Sequence, residues 1–128
     1  MIQDLHSATP RPDSPKRIRD DLLAQWVRRR VEAMHRLPSG ATLGGGLKNK
    51  ELVEARARAT YVIRMVCGVS EAATARALGH SRRSVGRIVK RVEADREDPV
   101  LDATLESLTR EVRPIVAALD SWVAGSGQ

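Results

Sequence analysis

Apolar residues return every three or four positions through the first third of the chain, at Ile18, Leu22, Leu23, Trp26, Val27, Val31, Met34 and Leu37. That period belongs to one face of an α-helix. Ser14-Pro15 supplies its start, a serine cap followed by proline at the first helical position. The spacing therefore predicts a helix from Pro15 to about Leu37, stopped by Pro38-Ser39-Gly40, and residues 38–47 (PSGATLGGGL) read as a flexible loop. A second helix is expected from about Asn49 to Cys67, on Leu52, Val53, Ala55, Ala59, Val62, Ile63 and Val66, with Gly68 as its stop. Ser70 caps a short helix over Glu71 to Leu78, which Gly79 ends, and Ser81 caps the next, which continues to about Asp95. Asp98-Pro99 opens a last helix by the same logic as Ser14-Pro15. The pattern predicts an all-α fold of five helices and no strands. Residues 1–13, with Pro10 and Pro12 and little apolar material, read as a mobile arm, and residues 124–128 as a tail.

The last helix has a pattern of its own. Leu101, Leu105, Leu108, Val112, Ile115, Leu119 and Trp122 step by four and three in turn, the a/d spacing of a heptad. Pro114 lies within it; an interior proline removes a backbone hydrogen bond and costs ~3 kcal/mol, so a kink or break is expected between Arg110 and Pro114. The ordinary role for such a stripe is packing on the first helix of the same chain. A dimer seam is the alternative, less attractive with the proline, and both monomer and homodimer stay open.

At 128 residues the chain is one domain's worth and can bury a core without staples. Its three aromatics are Trp26, Tyr61 and Trp122, so the core must be built from Leu, Val, Ile and Ala. Cys67 is alone, which excludes an internal disulfide and suits a reducing compartment. No apolar run nears the roughly 20 residues of a membrane span, and the N-terminus has no secretory pattern. A soluble cytoplasmic protein is the expectation. Charge changes the picture more. Residues 1–47 carry net +3, residues 48–93 net +7 and residues 94–128 net −4. Cations gathered in one segment make the footprint that phosphate binding requires, where merely solubilising charge would be mixed.

That segment contains VSEAATARALGHSRRSVGRIVKRVE, Val69 to Glu93, two short helices around a glycine turn. A helix-turn-helix needs a small residue where the second helix crosses the first, a turn residue tolerant of positive φ, and apolar anchors on the second helix. Ala75, Gly79, Val85 and Ile88 fill those places, with Val92 a further anchor. Ser81, Arg82, Arg83, Ser84, Arg87, Lys90 and Arg91 are left for a ligand. Arg82 and Arg83, just after the Ser81 cap, would meet the major-groove floor, where arginine holds guanine O6 and N7 together. Arg87, Lys90 and Arg91 would touch phosphates. Gly86, a poor helix former, suggests close backbone approach at that point. The bland alternative is an arginine-rich solvated helix, which the turn, anchors and local charge together disfavour. On this reading residues 14–47 are an N-terminal helix and loop, and residues 48–123 are the DNA-binding domain.

From about Lys48 to Val112 the chain resembles the C-terminal DNA-binding domain (domain IV) of the bacterial replication initiator DnaA. Ala55-Arg56-Ala57-Arg58 stands where that family has A-R-x-R in a long helix, Lys90-Arg91-Val92-Glu93 matches its K-I-E-like ending, and Asp98-Pro99-Val100-Leu101 matches its D-P-x-L start. The resemblance covers about half the chain. It implies an initiator-type helix-turn-helix, of the kind shared with the tryptophan repressor, a place on the bacterial nucleoid, and minor-groove or phosphate contacts from Arg56 or its neighbours Lys48, Lys50 and Arg58. The departure is at the family's signature G-G-R-D-H-T-T-V. Here Gly79-His80-Ser81-Arg82-Arg83-Ser84-Val85 is one residue shorter, with Ser81, Arg82, Arg83 and Ser84 in place of the reading Asp, His and Thr. The fold is expected to carry over, the family's DNA sequence is not.

Gly40 to Lys48 (GATLGGGLK) has the glycines of a phosphate loop without the Gly-Lys-Ser/Thr step, so the initiator's ATPase has no counterpart in these residues. His6, His35 and His80 are far apart without cysteine partners, so neither a metal nor a cofactor is expected. Glu93, Asp95, Glu97 and Asp98 cluster where acids favour the start of the last helix. Arg28-Arg29-Arg30 reads as a solvated face, or less readily as a second phosphate contact. A non-enzymatic protein is expected, with double-stranded DNA as partner, regulating replication initiation or transcription. The rival is an interaction module that binds replication or regulatory proteins through its first or last helix, with weak or no DNA binding.

Overall fold

The computed structural model describes residues 14–43 and 49–126. The expected N-terminal arm, Lys48 with the glycines before it, and residues 127–128 lie outside the described residues. Among the described residues there are five helices and no strand, as the pattern predicts: α1 (Pro15–Met34), α2 (Lys50–Tyr61), α3 (Glu71–Leu78), α4 (Arg82–Asp95) and α5 (Pro99–Ser126). Each begins at a side-chain cap, because the first amides of a helix have no partner within it. Ser14 Oγ accepts from Arg17 N at 3.1 Å, Asn49 Oδ1 from Glu51 N at 2.8 Å and Ser70 Oγ from Ala73 N at 3.1 Å. Ser81 Oγ accepts from Ser84 N at 3.1 Å and Asp98 Oδ1 from Val100 N at 2.9 Å.

Three local departures have physical causes. The first helix ends at Met34 rather than Leu37. Arg36 N donates to Ala33 O (3.1 Å) and Leu37 N to Glu32 O (2.8 Å), a paired closure with Arg36 at φ 57° where glycine is usual. Pro38 disfavours a helical Leu37, so the chain must turn before it. The buried Glu32 then collects Gly40 N and Thr42 N, each at 2.9 Å, and Thr42 Oγ1 at 2.6 Å. Burial alone would raise the Glu32 carboxyl, but these hydrogen bonds outweigh it and hold it below the usual carboxylate range. The described part of the expected flexible loop is thus tied to α1.

The second departure is a π-helical turn, Val62–Val66, that continues α2. Its wider bonds run from Cys67 N to Val62 O (3.0 Å) and from Val69 N to Ile63 O (3.2 Å), with Gly68 at φ 70°. The Cys67 carbonyl is taken by Arg19 Nη2 at 2.6 Å, and the same guanidinium reaches Asp20 at 2.8 Å and Asp120 at 2.9 Å. One buried arginine therefore ties α1, the end of α2 and α5. Third, α5 runs as one helix through Pro114 to Ser126, without the break expected at the proline, and takes in residues 124–126 that were expected as tail. Pro114 and Arg110 are both exposed, so water can take the carbonyl that the proline leaves unpaired.

The core is aliphatic. Leu23, Val27 and Val31 of α1 meet Ala55 and Ala59 of α2, Val62 and Ile63 of the π turn, and Leu105, Leu108 and Val112 of α5. The α5 stripe packs on α1 within the chain, and Arg30 forks onto Glu111 at 2.7 and 3.2 Å to pin the same two helices. Beyond Pro114 the stripe is only partly covered, and Trp122 remains 43% exposed. No helix of the described residues is long and apolar enough to cross a membrane.

Arg36 tests the early stop. The left-handed conformation costs a non-glycine residue about 1–2 kcal/mol, more than glycine loses through extra freedom in the unfolded chain. Arg36→Gly is expected to raise unfolding stability by about 0.5 kcal/mol, seen as a higher urea midpoint at unchanged slope. A lower midpoint would contradict the geometry.

Candidate nucleic-acid interface

Gly79 ends α3 in the left-handed conformation at φ 74°, and His80 N closes the turn on Ala75 O at 2.9 Å. Ala75 is buried on α3, and Val85 is fully buried on α4, with Val92 buried and Ile88 partly so. Gly79 thus makes the expected turn, and Val85 and Ile88 lie on the buried side of α4. With that side of α4 committed to packing, its other side is exposed: Arg82, Arg83, Arg87, Lys90 and Arg91 face solvent, while Ser84 is half-buried. None of these five cations forms an ion pair among the described residues. Ser81 is occupied as the cap and also donates from Oγ to Ser84 Oγ at 3.0 Å, and Arg87 Nη2 leans on the same Ser84 oxygen at 3.4 Å. The α4 acid Glu93 accepts from the Tyr61 hydroxyl at 2.7 Å, beside Arg96.

The α2 cations divide. Lys50 is exposed in the first turn, whereas Lys48 lies outside the described residues. Arg58 is engaged within the chain. It donates to His35 Nε2 at 2.8 Å and lies 3.9 Å from Glu54, and His35 Nδ1 in turn pairs with Glu51. Arg56 is buried, 8% exposed, in a cleft of about 430 Å³ between α2 and α4. Val53, Ala57 and Ile88 form the apolar part of that cleft, and Arg56, His80, Ser84, Arg87 and Arg91 its polar part. Arg56 Nη2 reaches His80 Nδ1 at 3.3 Å, and neither Arg56 Nε nor His80 Nε2 has a partner among the described residues. Burial draws the Arg56 pKa down, and burial followed by the Arg56 charge draws His80 down.

His80 is the cleft residue that sequence reading passed over as one of three scattered histidines. The signal available for it is its place directly after the turn glycine. The Arg28–Arg30 run also divides, since Arg30 pairs with Glu111, Arg29 is exposed, and Arg28 Nε is buried without a partner. Gly86 meets only the Glu71 carboxylate, 3.5 Å from where a Cβ would stand, which is ordinary contact. Nothing among the described residues requires glycine there. Cys67 is buried and its thiol is pushed up to about 12, which leaves it no nucleophilic role near neutrality.

Two measurements follow from this geometry. Gly86→Ala is expected to stabilise the protein by about 0.5–1 kcal/mol, the helix-propensity difference, read from the thermal midpoint. A loss of stability would mean the Glu71 contact is tighter than it stands. His80 sets a pH window. Its folded pKa lies below the usual 6.5, so on acidification the unfolded chain takes up its proton first. Stability is therefore complete above pH 6.5 and falls as pH drops from there through the depressed folded value. His80→Gln is expected to flatten that part of the stability–pH curve, and an unchanged curve would refute it.

Compared with known proteins, the chain matches no family model, no curated protein and no solved structure.

Proposed function

We propose that the protein binds double-stranded DNA sequence-specifically through a helix-turn-helix of the initiator type made by α3 and α4, and that it regulates replication initiation or transcription. The observation that carries this reading is the unpaired cationic face of α4, whose five cations have no carboxylate partner among the described residues. A solvated structural helix gains from mixed charge and i,i+4 pairs, which this face lacks. A polyanion supplies the missing partner.

Arg82, Arg83 and Ser84, in the first turn of α4, read base edges in the major groove, with Ser81 fixing that turn as its cap. Arg87, Lys90 and Arg91 lie further along and hold phosphates, joined by Lys50 and Lys48 from the start of α2. Arg56 contributes from the cleft, and its burial favours a phosphate that comes to it over insertion into a minor groove. Arg58 is a weaker contributor, since it would have to leave His35. A second reading, a protein-interaction module, is favoured by an apolar groove between α1 and α5 lined by Leu22, Trp26, Ile115 and Leu119.

The test is a selection for bound duplexes, followed by titration at two salt concentrations. The wild type is expected to bind a selected duplex with affinity falling steeply with salt. Arg83→Ala should cost about 1–3 kcal/mol and relax preference at one base position. Lys90→Ala should weaken all duplexes alike and lower the salt slope by about one. No duplex binding at low salt would overturn the DNA reading and leave the interaction module.

A further inference from the structure

The α2–α4 cleft has properties that an exposed groove-reading helix does not need. At its floor is Arg56, a residue more than nine-tenths buried, with Nε unpartnered among the described residues, beside an imidazole whose Nε2 is likewise unpartnered. No acidic residue lines it. A buried cation is normally paired because desolvation is expensive, and Arg19, equally buried in this protein, makes hydrogen bonds to two carboxylates and a carbonyl. Among the described residues, the Arg56 side chain has only a contact at 3.3 Å to a histidine whose positive form it would repel. Donor-bearing side chains line both walls: Arg56 and His80 at the floor, and Arg87 and Arg91 from α4. Ser84 accepts from Ser81 and Arg87, leaving its own O–H to donate. Donors on several sides suit a tetrahedral oxyanion better than a planar carboxylate, which offers two oxygens in one plane.

We propose that this cleft is a phosphate-binding pocket, in which Arg56 and His80 hold one phosphoryl group from the floor and Ser84, Arg87 and Arg91 close on it from α4. The volume of about 430 Å³ exceeds what one phosphate fills, so the group arrives attached to something larger. Two sources share this chemistry: a phosphodiester of a bound duplex, and a free phosphorylated small molecule. The pocket does not rest on the DNA reading, because donor-bearing residues line it whether or not α4 enters a groove.

The experiment titrates sodium phosphate into the full chain at neutral pH, against sodium chloride at matched ionic strength, following the Arg56 Nε and His80 Nε2 resonances by NMR. A saturable shift with phosphate and none with chloride is expected. Arg56→Gln should weaken phosphate binding at least ten-fold, whereas Arg113→Gln, exposed on α5, should leave it within two-fold. Arg91→Gln, on the exposed rim, should weaken it several-fold and keeps the test valid if Arg56→Gln does not fold. A second arm adds a labelled duplex and a nucleoside monophosphate. Parallel loss of duplex and phosphate affinity in Arg56→Gln identifies the duplex backbone as the source. Loss of phosphate and nucleotide binding with duplex affinity kept identifies a free phosphorylated molecule. Unsaturable shifts, shifts equal in chloride, or unchanged binding in both cleft variants would overturn the pocket. That failure leaves the DNA reading standing, which Arg83→Ala decides, and absence of duplex binding with phosphate binding intact would remove the DNA reading alone.

Discussion

A narrow aliphatic strip holds α4 to the protein. Val85 and Val92 are buried, Ile88 and Val89 partly so, and every other position on the helix is left to polar or small residues. The strip lands on α2 and α3, the helices that α4 contacts most. The turn that brings it there has Gly79 at a positive φ, with Ala75 buried on α3. If the turn shifted, the strip would lose its partners and the cationic face would lose its direction. The charged surface of α4 thus depends on an uncharged contact. Burial of one valine or isoleucine contributes about 1.5–3 kcal/mol, so a few such residues can hold a helix whose clustered cations repel one another.

The protein treats its buried polar groups in two ways. Glu32 and Arg19 are surrounded by partners, and each closes a piece of irregular backbone: the turn after α1 and the widened end of α2. There the hydrogen bonds compensate for desolvation, and the result is rigidity on the side away from α4. Arg56 and His80 stand between α2 and α4 with nitrogen atoms unpaired. Unpaired buried donors are costly, on the order of 1–3 kcal/mol each. A fold that surrounds Arg19 with partners leaves two such nitrogens together here, so that part of this cost falls where the cationic helix faces a cavity.

Much of the fold was legible because caps and stops are local chemistry. Ser14, Asn49, Ser70, Ser81 and Asp98 each bond an amide two or three residues on, so the helix starts could be read from side-chain type and spacing. Gly68 and Gly79 likewise marked stops through their backbone freedom. Other features left no comparable trace. A π turn and an α turn bury nearly the same residues, so Val62–Val66 read as ordinary helix. Pro114 carries its propensity cost wherever it sits, and only exposure of that part of α5 shows that water can relieve it. Arg36 entered a left-handed conformation because Pro38 and the bonds to Glu32 outweigh its own preference.

The candidate site divides along the same line. The sequence by itself determined five helices, the turn at Gly79, and which face of α4 is charged, since period, caps and anchors all act within a few residues. Only the tertiary structure decided what the α2 cations do. Arg56 and Arg58 are two residues apart, yet one is buried opposite His80 and the other is held by His35 from the end of α1. Their partners lie 24 and 23 residues away in the chain. No local pattern encodes such a pairing, because it follows from how the helices cross.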